Sequence, residues 1–140
     1  GGAVEERQAA RAMADATAEV RAAVAVFHEL KAAVEHHLGV ASTKELVGRV
    51  IRGAAPRRGT LPGGEEYFVH GIGYTVTTLA GAPVRLDGCG GDSSCFKTWD
   101  IRSYLEHTDV SLDEIAATCG DLVAEGTLRE VDDATFAFVA

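Results

Sequence analysis

The sequence predicts an α+β fold in a single domain, and three observations carry that prediction. Residues 3–38 have helical periodicity with no proline or glycine, residues 67–87 alternate as strands do, and Ser42 and Ser111 each open a capping-box sequence. Helices, hairpin, helices and hairpin follow one another in that order, which favours α+β over a β-α-β alternation. At 140 residues the chain has room for one core and is too short for two ordinary domains. The expectation is one unit (1–140) with an N-terminal helical segment (1–40) and a core (66–140). That core is a small antiparallel sheet, a central and a C-terminal hairpin packed with two further helices.

The first helix rests on Met13, Val20, Phe27 and Val34 at seven-residue spacing, with Ala16, Ala23 and Leu30 three residues after the first three. Gly39 supplies the left-handed residue that ends it. Such a helix would be about 54 Å long, against roughly 40 Å for a compact domain of this size. It must therefore break near residues 14–18, project from the body, or pack against a second chain as a homodimer. Ser42-Thr-Lys-Glu45 then caps a helix running to Gly53. The proline and glycine content of residues 54–64 predicts a loop without regular structure.

Tyr67–Leu79 is predicted to be one strand with Phe68, His70, Ile72, Tyr74 and Val76 on its core face. A turn at residues 80–82 leads into Pro83–Asp87, where Val84 and Leu86 point one way and Arg85 and Asp87 the other. A glycine-rich loop, residues 88–94, precedes Cys95-Phe96 as a candidate short third strand. Thr98 is the expected cap of the next helix. The helix after Ser111 carries the stripe Leu112, Ile115, Cys119, Leu122 and Val123 and stops at Gly126. The chain closes with a hairpin of Leu128–Val131 and Thr135–Val139.

Charge divides the chain. Residues 1–85 hold ten Lys/Arg against nine Asp/Glu, and residues 86–140 hold three against twelve, so the C-terminal part stands at −9. An acidic block of that kind repels phosphate backbones and attracts basic partners, which argues against nucleic acid as a ligand. No apolar run approaches the roughly 20 residues that span a bilayer, and no signal-peptide core is present, so a soluble cytoplasmic protein without membrane contact is expected. Three cysteines cannot all pair within one chain, and a reduced compartment suits them.

Motifs that could carry chemistry are sparse. His70 among apolar residues could act as a general base or metal ligand, but no second catalytic group can be named, and a structural histidine is the simpler account. Cys89 and Cys95 could be a nucleophile, a redox pair or half of a metal site. Their spacing matches no zinc or thioredoxin motif, which favours ordinary free thiols. Cys119 falls on a helix stripe as a small core residue. His36 and His37 suit a helix C-terminus, and no metal or cofactor is expected. Residues 111–139 have the element order of the second half of a winged helix. Its helix carries Asp113, Glu114, Asp121 and Glu125 and no basic residue, unlike a DNA reader.

Four short motifs occur in order: Pro56-Arg-Arg-Gly59, Tyr67-Phe-Val-His-Gly-Ile-Gly73, Leu86-Asp87 and Phe96-Lys-Thr-Trp99. In this order the chain resembles, over roughly residues 27–140, a family of uncharacterised bacterial single-domain proteins. Tyr74 stands where a Cys commonly follows the second glycine, and Phe96-Lys-Thr-Trp-Asp-Ile101 replaces a Phe-Asp-x-Trp-Arg-Leu run, so no catalytic residue is carried over. The resemblance implies an immunity role, because small acidic members of such families often sit beside toxin genes.

The leading expectation is a non-enzymatic immunity protein that neutralises a basic toxin or effector through its acidic surface. The expected contact set is Asp87, Asp92, Asp100, Glu106, Asp109, Asp113 and Glu114, with Trp99 and Tyr104 as aromatic anchors. The competing account of these acids is a solvated face that serves solubility. From other classes come a small enzyme or metal-binding protein centred on His70 with Cys89 and Cys95, and a winged-helix-like regulator.

Overall fold

A computed structural model describes residues 2–91 and 93–139. Four helices, α1 (Gly2–Leu38), α2 (Thr43–Ile51), α3 (Thr98–Tyr104) and α4 (Leu112–Ala124), accompany seven strands. The strands are β1 (Arg58–Thr60), β2 (Glu66–Val69), β3 (Gly73–Thr77), β4 (Pro83–Cys89), β5 (Ser93–Lys97), β6 (Leu128–Asp132) and β7 (Thr135–Phe138). They form one antiparallel sheet in the order β1-β2-β3-β4-β5-β7-β6. The C-terminal hairpin is thus an extension of the main sheet, joined by β7 to β5, and not a separate wing.

Burial alternates along the strands and separates two faces. Tyr67, Val69, Tyr74, Val76, Val84, Leu86, Phe96, Phe136 and Phe138 are buried in a core that includes Val20, Ala23, Val24, Phe27, Leu30 and Val34 of α1. Phe27 is its centre: its ring meets Phe96 and Tyr104 edge-on, each at 5.7 Å between centroids. By register, Arg58, Phe68, Thr75, Arg85, Asp87 and Cys95 lie on the opposite face.

α1 is unbroken. Residues 2–15 are all exposed, and burial begins at Ala16, so the helix projects from the body. The heptad positions Val20, Phe27 and Val34 pack into the chain's own core. Met13, 66% exposed, marks where the stripe leaves it, and the position seven residues earlier is Glu6. No described helix is long and apolar enough to cross a membrane.

Several local expectations are corrected. Tyr67–Leu79 is not one strand: it folds back at Gly71-Ile72, with the His70 N–H donating to the Gly73 carbonyl at 2.8 Å. The reversal puts Tyr67 and Val69 in the core with Tyr74 and Val76, and leaves Phe68 and Ile72 exposed. His70 is half-buried at the hairpin end instead of lying in the core. The predicted loop 54–64 contains β1, because Gly59 gives the Tyr67 ring room to lie across an edge strand. Sheet structure therefore begins at Arg58, ahead of residue 66. The glycine-rich loop shrinks as β4 extends to Cys89 and β5 starts at Ser93.

Capping follows the same chemistry with small shifts. Ser42 accepts from the Glu45 N–H, while the Glu45 carboxylate accepts from Ala41. The box at Ser111 is complete, with Glu114 returning a 3.0 Å bond to the Ser111 N–H. Thr98 is not the cap of α3. Lys97 occupies that position, and its N–H donates to Asp100 at 2.7 Å. On α4, Leu112 is exposed, and Thr118 joins Ile115, Cys119 and Leu122 on the buried stripe.

Candidate functional site

Of the expected contact residues, Tyr104, Glu106, Asp109 and Glu114 line one surface, and Asp87, Trp99 and Asp100 belong to another. The first runs along α1. Asp15 and Glu19 are four residues apart on α1 and so share a helix face. They line a groove of about 540 Å³ with His107, Asp109 and Glu114 from the α3–α4 connection and the start of α4. Among the described residues, no lysine or arginine lines this groove. A second groove shares Glu19, His107 and Thr108 with it and continues over Ala22, Val26, Tyr104 and Leu105, with Glu106 at its edge. One continuous furrow results, acidic at one end and apolar at the other.

Glu106, Asp109 and Asp113 are exposed and make no ion pair among the described residues. Glu114 is partly engaged in capping α4. Tyr104 is half-buried against Phe27, so its ring is a wall of the furrow more than a free anchor. Asp15 and Glu19 lie outside the acidic C-terminal block, and their four-residue spacing gives a shared helix face but not the groove they line.

The second surface is the sheet face that carries Thr75, Arg85 and Asp87. Asp87 is half-buried and bound to Arg85, whose Nε lies 3.3 Å from Oδ1. Asp100 is half-buried, and burial holds its carboxyl above the usual carboxylate range despite the Lys97 N–H bond. Neither is a free acidic contact. Trp99 is 65% exposed and shares a shallow groove with Thr75, Pro83, Arg85, Asp100 and Ser103. Asp92 lies outside the described residues.

His70 sits at the edge of this second surface, its Nε2 3.3 Å from the Thr75 hydroxyl. Burial lowers its pKa, the Arg85 charge adds to that, and Asp87 opposes it. Cys95 is buried and Cys89 half-buried on the same face of the β4–β5 hairpin. Among the described residues, no three His, Cys, Asp or Glu side chains gather as a metal-ligand set.

All four sequence motifs contribute to this sheet face: Arg58, Phe68 with His70, Asp87, and Trp99. Arg58 lies over the Phe68 ring at 5.1 Å from its centroid. The missed members are Thr75 and Arg85. Arg85 alternates with Val84 and Leu86 in the sequence, which gives its face but not its pairing with Asp87.

No curated protein and no solved structure matches the chain. A family model does, over residues 17–138, a span that holds the whole sheet, α2 to α4 and the core-packed stretch of α1 from Val20 to Val34. The chain therefore belongs to the family described as domain of unknown function DUF6896.

Proposed function

We propose that the chain is a protein-binding module that acts as an immunity protein, occluding a basic bacterial toxin or effector domain through the furrow along α1. One observation carries this: Asp15, Glu19, Asp109 and Glu114 line a single groove that, among the described residues, no lysine or arginine lines. Toxins that act on nucleic acids hold positive charge where phosphate binds, so a carboxylate-lined furrow steers the encounter and fills the cleft without chemistry. The apolar continuation over Val26 and Leu105 gives the docked partner a surface to desolvate.

Affinity capture from the source cell with wild type and with Asp15→Lys/Glu19→Lys/Asp109→Lys tests the proposal. The expected result is a basic protein held by wild type, released by the variant, and inhibited in its own activity when bound. A captured protein that keeps full activity, or that binds both chains equally, would contradict it.

A small enzyme centred on His70 is the second reading, favoured by the half-buried set of His70, Thr75, Arg85 and Asp87 on one face. His70 does not line the groove that Thr75, Arg85, Trp99 and Asp100 form. His70→Asn separates the two: the protein-binding account expects partner affinity unchanged.

A further inference from the structure

We propose that Cys89 and Cys95 are a modification site, forming a reversible intramolecular disulfide when the chain meets a hydroperoxide. Both thiols are free, and both strands place them on one face. Cys89 pairs with Ser93 nearer the turn and Asp87 pairs with Cys95 further from it, so the two cysteines are diagonal neighbours. Diagonal neighbours on one face of a hairpin lie within side-chain reach of each other.

The sulfur atoms are held in place by backbone acceptors. The Cys95 thiol donates to the Asp87 carbonyl at 3.5 Å, and the Cys89 thiol donates to the Ser93 carbonyl at 3.8 Å. Each sulfur is thus turned across the β4–β5 ladder toward the strand that carries the other. The turn between the strands contains Gly90 and Gly91 at φ 28° and 65°, a backbone that can adjust as the sulfurs close to bonding distance.

Exposure sets the order of events. Cys95 is 4% exposed and burial pushes its thiol pKa up, so Cys89 meets the oxidant first. The Cys89 sulfur attacks one peroxide oxygen and the O–O bond breaks. This leaves a Cys89 sulfenic acid, and the other oxygen departs with the thiol proton as water or alcohol. The Cys95 sulfur then attacks the Cys89 sulfur, the S–O bond breaks, and the hydroxide leaves with the Cys95 proton as water. Two thiols are oxidised by two electrons and the peroxide is reduced.

Cys119 serves as an internal control, buried on α4 with its thiol pushed up to about 12. The test treats reduced full-length chain with hydrogen peroxide, then alkylates under denaturing conditions and maps the peptides. The expected result is a monomer that has lost two hydrogens, with Cys89 and Cys95 joined, Cys119 alkylated, and all three thiols recovered with dithiothreitol. Dimedone trapped on Cys89 with Cys95 still alkylated, a Cys89 sulfinic acid, or a disulfide between two chains would overturn the proposal.

Discussion

Gly73 on β3 is the cross-strand partner of Asp87 on β4, and the place where a Gly73 side chain would go is already filled by the Leu86 carbonyl and the Asp87 α-carbon. These are backbone atoms in a paired strand and cannot rotate away. Gly71, two residues earlier in the same motif, has nothing within 4 Å of such a position. The two glycines of His70-Gly-Ile-Gly73 therefore differ in kind: one is required by a close approach and the other is not.

Gly73→Ala is expected to cost about 1–3 kcal/mol or more through overpacking. Gly71→Ala is expected to stay within about 0.5 kcal/mol of wild type. Denaturant unfolding of the two variants side by side checks this. Equal losses would mean that the close approach of β4 is not what selects glycine at residue 73.

Tyr74 is fully buried, and its hydroxyl has no hydrogen-bond partner among the described residues. The neighbouring Thr43 hydroxyl is already paired with Ser94 at 2.6 Å. Burial without a partner disfavours the phenolate and raises the Tyr74 pKa. Tyr74→Phe should therefore leave stability unchanged or raise it by up to about 1 kcal/mol. A clear fall in the unfolding midpoint would reveal a hydrogen bond to this hydroxyl.

His70 gives a pH dependence of definite sign. Its folded pKa lies below the ordinary value of 6.5, so the unfolded chain takes up a proton first as pH falls through that value. The stability this residue contributes is fully present above the ordinary histidine range and is lost as pH falls from there toward the folded pKa. Unfolding wild type and His70→Asn at about pH 7.5 and about pH 5 isolates it, since the other histidines are common to both. Wild type should lose more stability on acidification than the variant. The opposite order would place a favourable partner for the imidazolium beside His70.

Much of the fold was legible because local chemistry and tertiary packing agree. The heptad of Val20, Phe27 and Val34, the caps at Ser42 and Ser111, and the alternation of Val84 and Leu86 each predict what they form. The Tyr67–Leu79 hairpin was not legible, since alternation continues through Gly71-Ile72 and the fold-back depends on β4 pairing alongside. β1 escaped for a related reason: the three-residue edge strand Arg58–Thr60 forms by pairing with β2, whose Tyr67 ring fills the space beside Gly59.

The candidate site was half legible. Net charge identified the acidic block but not how the fold divides it. Asp87 is neutralised by Arg85 and Asp100 caps α3, while Asp109 and Glu114 meet Asp15 and Glu19 from α1. That meeting depends on where α1 crosses the α3–α4 connection. No linear pattern encodes it.

The most direct measurement is the association rate of the captured basic partner with three chains at low salt. These are wild type, Asp15→Lys/Glu19→Lys/Asp109→Lys in the furrow, and Glu130→Lys/Asp132→Lys/Asp133→Lys on β6 and the turn after it, which makes the same change in net charge elsewhere. All six positions are exposed, so the fold should be kept. The account predicts that the furrow variant associates at least about tenfold more slowly than wild type, that the β6 variant slows far less, and that raising ionic strength shrinks both differences. Equal slowing by the two variants would reduce the effect to net charge, and no slowing by the furrow variant would contradict the proposed interface.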